Sequence, residues 1–361
     1  MSSSNVPGLA RCAAARARAL ATVSCLAAAT ALLASMSACG GGGGDAPGPP
    51  PTPSPAPAPA PAPTPTPSGP IAAQMSVPTP VGYDTERLAA FKRLNEIRLS
   101  AGLGMLAQST LMDQAAQAHA EWMVANDVFS HQEQVGTPGF TAVDWWLRDE
   151  VFGYVPISGS EVMAASGGAV AEVDALVNGV YHRAGILAFE PVDVGIGWSS
   201  ASAAHVAKPL VIDMTRPGAD VVRGLGQGAQ SSINGASIWP LDGARDVPLR
   251  LGAESPNPVP GQDVLSLGTP ASITVDETSA ISASAFALAV EATGLVVPTH
   301  ILVGGNDPNM LLPRSFIAAV PLSPLSPNTT YAVTFSGTVT EVSTGVPTGL
   351  SRSWSFTTGA Q

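Results

Sequence analysis

The sequence predicts an α+β chain: a region of helices and short strands, followed by an all-β sandwich. Two observations carry this. Between 77 and 222, apolar residues recur mainly at helical spacing, with short strand-like runs between them. From 238 to 361, proline-bounded apolar runs give way to alternation, with Tyr331, Val333 and Phe335 on one face and Trp354 and Phe356 sharing another. The two regimes are separated by a Gly/Gln/Ser-rich stretch without periodicity, read as a linker over 223–237.

The N-terminal stretch reads as an export signal. Arg11, Arg16 and Arg18 precede an apolar run from Ala19 to Met36, and no acidic residue occurs before Asp45. Met36-Ser37-Ala38-Cys39-Gly40 is similar to a bacterial lipoprotein signal. That resemblance implies a signal peptide over 1–38 and a thioether-linked diacylglycerol on Cys39. The membrane is then a partner through acyl chains, each buried methylene contributing about 0.8 kcal/mol. Gly40 is not the acidic residue that retains some lipoproteins in an inner membrane, so an extracytoplasmic, outer-membrane location is favoured.

Composition narrows the partners. Loss of 1–38 leaves 13 basic against 27 acidic residues, a net charge of about −14 that repels nucleic acid. Cys12 and Cys25 leave with the signal and Cys39 is alkylated, so no disulfide is expected in the mature chain. Residues 39–76 form a linker, with Gly40 to Gly44, prolines from Pro47 to Pro70, and an Ala-Pro alternation from Pro55 to Pro63. Such a sequence favours polyproline II and spans about 60 Å at ~3.1 Å per residue, a stalk between lipid and folded region.

The first folded region, 77–222, begins with a helix over Thr85–Leu99, N-capped by Thr85 and ended by Gly102 and Gly104. A second helix over Gln108–Asn126 carries the stripe Leu111, Ala115, Ala118, Trp122 and Ala125. His119 lies beside that stripe and ranks as a core or boundary residue. A third helix is expected over Ala142–Phe152, with Trp145 and Trp146 as packing residues, and a helical pattern opens at Ser160–Ala164. Gly168–Val180 reads as a further helix, and Gly195–Trp198 and Leu210–Met214 as paired strands.

Three residues stand at the ends of apolar runs, where side chains can converge on a cleft without disturbing a core: His131, Glu161 and His182. Two neutral imidazoles can bind zinc with water or a carboxylate in the remaining positions, which makes His131 and His182 the metal candidates and Glu161 a group that fixes a tautomer. In the other reading Glu161 hydrogen-bonds both histidines and pins two loops. No catalytic residue is assigned. Ser130 and Ser160 neighbour the trio in sequence, but neither lies in a Gly-x-Ser-x-Gly elbow, and no mature thiol is expected.

The order of these pieces, from about Arg87 to Met214, resembles the CAP superfamily (SCP domain; cysteine-rich secretory proteins, antigen 5 and pathogenesis-related 1). Leu94-Asn95-Glu96-Ile97-Arg98 with Ala101-Gly102-Leu103 is similar to the family's opening helix and turn. Ala118-His119-Ala120 and Phe129-Ser130-His131 resemble its next helix and first cleft histidine. Glu161 stands at the Glu of the Glu-Asn-Ile/Leu motif, His182 at the last helix's Gly-His, and Val194–Gly197 at the following strand. The resemblance implies an α/β/α sandwich with a cleft, sometimes metal-occupied, at His131, Glu161 and His182. The chain departs from the pattern at Val162, at Tyr181–Gly185 and at Val211–Met214, and the family's four-residue cleft reduces to three.

In the second region, 238–361, strands are expected at Val264–Leu267, Ala285–Val290, Ile301–Val303 and Phe316–Val320. Leu325–Tyr331 resembles the corner before a late strand of immunoglobulin-like or fibronectin-like domains, with Tyr331 as corner tyrosine. Trp354–Thr358 resembles the last strand of bacterial immunoglobulin-like domains, which implies a spacer or adhesion surface. The sequence thus points to an exported, lipid-anchored protein that binds a ligand, lipid or partner through the His/Glu cleft without turnover. The alternatives are a metal-dependent or serine-type hydrolase using that cleft, and an envelope adhesion protein acting through the sandwich.

Overall fold

Apolar side chains on both faces of one small sheet organise the first region. The computed structural model describes residues 71–218, 230–233, 235–252 and 254–360; the export signal, Cys39 and most of the stalk lie outside the described residues. Helix α1 (Thr85–Ser100) starts where the sequence suggests, with Asp84 rather than Thr85 as the cap, its side chain accepting the Arg87 N–H. The elements then run β1 (Ala107–Gln108), α2 (Thr110–Asn126), α3 (Trp145–Val151), β2 (Pro156–Ala164), α4 (Ala169–Asn178), α5 (Tyr181–Ile186), β3 (Asp193–Trp198) and β4 (Leu210–Pro217).

The sheet has the order β1-β3-β4-β2, parallel only between β1 and β3. One face packs against α1 and α4: Phe91, Leu94, Ile97, Val173 and Leu176 meet Val162, Ile196 and Ile212. The other packs against α2, where Ala116, Ala120 and Trp122 meet Met163 and Val211. Three layers result, α/β/α. Each fully buried aliphatic or aromatic side chain in them contributes about 1.5–3 kcal/mol. A Cβ on Gly195 or Gly197 of β3 would collide with the backbone of Met112 or Ala116, so these two glycines let α2 lie directly on the strand.

Two sequence expectations are corrected. Ser160–Ala164 is part of β2, not the opening of a helix. Val162 is buried on one face and Met163 on the other, so the run lacks the polar alternation that marks a half-exposed strand. Val264–Ser266 is a 3₁₀ turn rather than a strand, with the Asp263 side chain accepting the Leu265 N–H.

The second region comprises β5 (Ala236–Trp239), β6 (Ala244–Val247), β7 (Ala271–Val275), β8 (Ser279–Val290), β9 (Thr299–Val303), β10 (Phe316–Pro321), β11 (Thr330–Glu341) and β12 (Pro347–Thr358). They form two four-stranded sheets, β5-β7-β10-β9 and β6-β12-β11-β8. Ile273, Ile317 and Ala319 of one sheet share a core with Leu288, Tyr331, Val333, Phe335, Trp354 and Phe356 of the other. The Tyr331 hydroxyl accepts the Ser326 N–H at 2.8 Å. All described residues belong to one compact unit. The two regions meet at α5, where Val180 and Ala184 are buried with Leu251, Val259, Leu302, Phe316 and Val320.

Candidate functional site

Of the three residues singled out in the sequence, the structure joins two. His131 Nδ1 lies 2.8 Å from Glu161 Oε1; the imidazole is 48% exposed and the carboxylate fully buried. His182 pairs elsewhere, its Nδ1 3.2 Å from Oε1 of Glu254, beyond the family-like segment. The three residues therefore fall into two separate His–Glu pairs. Among the described residues no group of three or more His, Cys, Asp or Glu side chains is placed to hold a metal ion. His131 and His182, the metal candidates of the sequence, each lie on a different carboxylate.

Glu161 reaches its position because β2 pairs with β4, which sets Asp213 directly across the ladder on the same face. Behind it lies Arg148 of α3, whose guanidinium is fully buried. One amino nitrogen donates to Glu161 Oε2 at 2.5 Å, and the other donates to the carbonyls of His131 and Val143 at 3.1 and 3.3 Å. Glu133 stands 3.9 Å from Arg148 Nε and 3.0 Å from Nδ1 of His119, while the Thr141 amide donates to its other oxygen. His119 Nε2 lies 2.9 Å from the Ser130 carbonyl and its ring stacks on Trp122 at 5.6 Å. The network thus runs His119, Glu133, Arg148, Glu161, His131, buried except at its last member.

Burial works against the charge on Glu161, but Arg148 and the two histidines outweigh it and hold the carboxyl well below the usual range. Glu133 is likewise held down, against its burial, by His119, the Thr141 amide and Arg148. Asp149 and Asp213 go the other way. Burial, followed by the charges of neighbouring carboxylates, drives both well above the usual carboxyl range. Neither oxygen of either residue has a hydrogen-bond partner among the described residues.

The sign for stability follows. A carboxyl raised by folding stabilises below its unfolded pKa near 3.9, and that contribution is lost as pH rises through the folded value. Asp213→Asn, which needs no bound proton, should therefore gain on the wild type as pH is raised from 5 to 8. Guanidinium unfolding at the two pH values would show no relative change if Asp213 is already ionised in the fold at pH 5.

Sequence reading ranked His119 too low and passed over Glu133, Arg148, Asp149, Asp213 and Glu254. One signal was available: Asp213 is a lone charge inside the apolar strand Leu210–Met214. Beside the network an open cavity of about 440 Å³ is lined by Trp122, Asn126, Ser130, Gln132, Glu133 and Thr137, among others.

An α/β/α sandwich with a buried His–Glu–Arg network opening at one imidazole defines the class of the first region. The model of the cysteine-rich secretory protein (CAP) family matches residues 91–206, less than half of the chain, and supports a CAP domain there. No curated protein matches. Among solved structures, an extracellular SCP-domain protein from Bacillus anthracis is similar at 23% identity and a TM-score of 0.31, covering 36% of this chain and 40% of that one. An outer surface protein of Borrelia burgdorferi is similar at 15% identity and a TM-score of 0.31, covering 36% of this chain and 90% of that one. The matched part thus spans well under half the length of the Bacillus protein. Among the described residues no helix is long and apolar enough to cross a membrane.

Proposed function

We propose that this chain is an exported, lipid-anchored protein of the cell envelope whose CAP region binds a ligand, lipid or protein partner at the cleft edge marked by His131, without chemical turnover. One observation supports this above others. His131 is half exposed, yet its Nδ1 is fixed on buried Glu161, which leaves Nε2 without a hydrogen-bond partner among the described residues. An imidazole held this way keeps a free ring nitrogen at the surface at little further cost in side-chain entropy. The adjoining hydroxyl of Ser130 is engaged with Gln132 through both the Gln132 amide and its carbonyl, which disfavours a nucleophilic role. The C-terminal sandwich is read as an immunoglobulin-like module. Its support is the corner contact from the Ser326 amide to the Tyr331 hydroxyl.

The cleft is tested by passing a detergent extract of the envelope over the immobilised chain beginning at Ile71. A component retained by the wild type should be lost with both His131→Ala and Glu161→Gln. Retention that ignores both substitutions would exclude this cleft. Lipid anchoring is tested separately: Cys39→Ser should move the protein from the membrane to the soluble fraction of cells.

A further inference from the structure

Helix α5 carries His182 and is the last helix of the family-like segment, yet much of what holds it comes from the second region. Glu254, whose side chain is fully buried, accepts the amides of Val180 and Tyr181 at 2.7 Å each, through different oxygens. The His182 amide reaches the same Oε1 at 3.3 Å, beside the imidazole at 3.2 Å. A carboxylate is thus set at the helix N-terminus, where the first N–H groups have no intrahelical acceptor.

The remaining contacts repeat the pattern. The Tyr181 hydroxyl donates to Asp307 at 2.6 Å and accepts from Asn309 at 2.8 Å. The Arg183 guanidinium, fully buried, donates to the Pro270 carbonyl at 2.7 Å and to the Ser272 hydroxyl at 3.2 Å. Burial without a carboxylate partner in contact pushes its pKa down to about 9. At the other end of α5, Arg98 donates to the Ile186 carbonyl at 2.7 Å. Residue 179 is where this joint leaves no room for a side chain: a Cβ there would stand 2.7 Å from Glu254 Oε1 and 3.2 Å from His182 Nδ1. The position is glycine.

We propose that Glu254 is the positioning residue through which the sandwich sets the place of His182. This second His–Glu pair is built across the boundary between the two regions, and a chain ending before Glu254 would lack its carboxylate. The joint exists with or without a ligand, so it does not depend on the binding role proposed for His131.

Amide hydrogen exchange on the full chain, with Glu254→Gln, tests this. Both oxygens already accept N–H groups, so an amide of the same shape must turn its NH₂ against one of them. Exchange at Val180, Tyr181 and His182 should rise by about ten-fold, while Val333 in β11 keeps its protection. Carbethoxylation of His182 should accelerate several-fold relative to His131 in the same sample. If Glu254 only fills space, Glu254→Gln will match the wild type in both measurements and the proposal fails. Should that variant also open β11, Gly179→Ala decides by the same readouts. Its Cβ presses on the carboxylate without removing it, and wild-type exchange at 180–182 would overturn the assignment.

Discussion

Arg148→Met is expected to destabilise the chain by about 3–5 kcal/mol at pH 7, the range for removing one partner of a buried ion pair. Arg148 is a permanent cation in reach of both Glu161 and Glu133, at 2.5 and 3.9 Å, and all three are buried in the same network. Without it, neither carboxylate can shed its charge at neutral pH except at a cost in free energy. The penalty should shrink in acid. In the wild type the depressed pKa of Glu161 contributes stability that is present above its unfolded pKa, about 4.3, and is lost as pH falls through the folded value. The variant has no such contribution to lose, so the two proteins converge towards pH 3. Denaturant unfolding at pH 7 and pH 3 checks both statements. A penalty that is constant with pH would mean that the guanidinium acts by packing alone.

Phe316→Ala should cost about 3–5 kcal/mol, and the loss should appear in both regions at once. Phe316 is fully buried in β10 against the cluster that includes Val180 and Ala184 of the first region. A cavity there loosens α5 as well as the sandwich. Unfolding followed by tryptophan fluorescence, with Trp122 and Trp198 in one region and Trp354 in the other, should remain a single transition displaced as a whole. Two separate transitions, with only the sandwich displaced, would show that the regions fold independently.

How far the sequence revealed this molecule depends on where each partner lies along the chain. The two long helices of the first region were legible from the spacing of their apolar residues, and its layering from the resemblance in motif order. His131 and Glu161 were legible because motif order singled them out, even though Glu161 was assigned to the wrong kind of element. The hidden parts are partnerships at long range. Glu254 stands 72 residues beyond His182 in a segment with no motif, so only the packing of the sandwich on α5 brings the pair together. Arg148 and Asp149 sit behind two tryptophans in a short helix, where the aromatic pair masks them. His119 looked like core because it is core; its carboxylate partner lies 14 residues away in a loop and leaves no periodic trace.

The glycines of β3 have a further consequence. Because Gly195 and Gly197 let the backbone of α2 rest on the strand, the height of that helix above the sheet is fixed by two methyl groups that are not there. His119 rides on the same helix, and through the Ser130 carbonyl it steadies the loop that presents His131. The placement of the network's exposed imidazole is therefore dictated from underneath, by positions with no side-chain chemistry of their own. A survey confined to polar residues would overlook the floor on which the site stands.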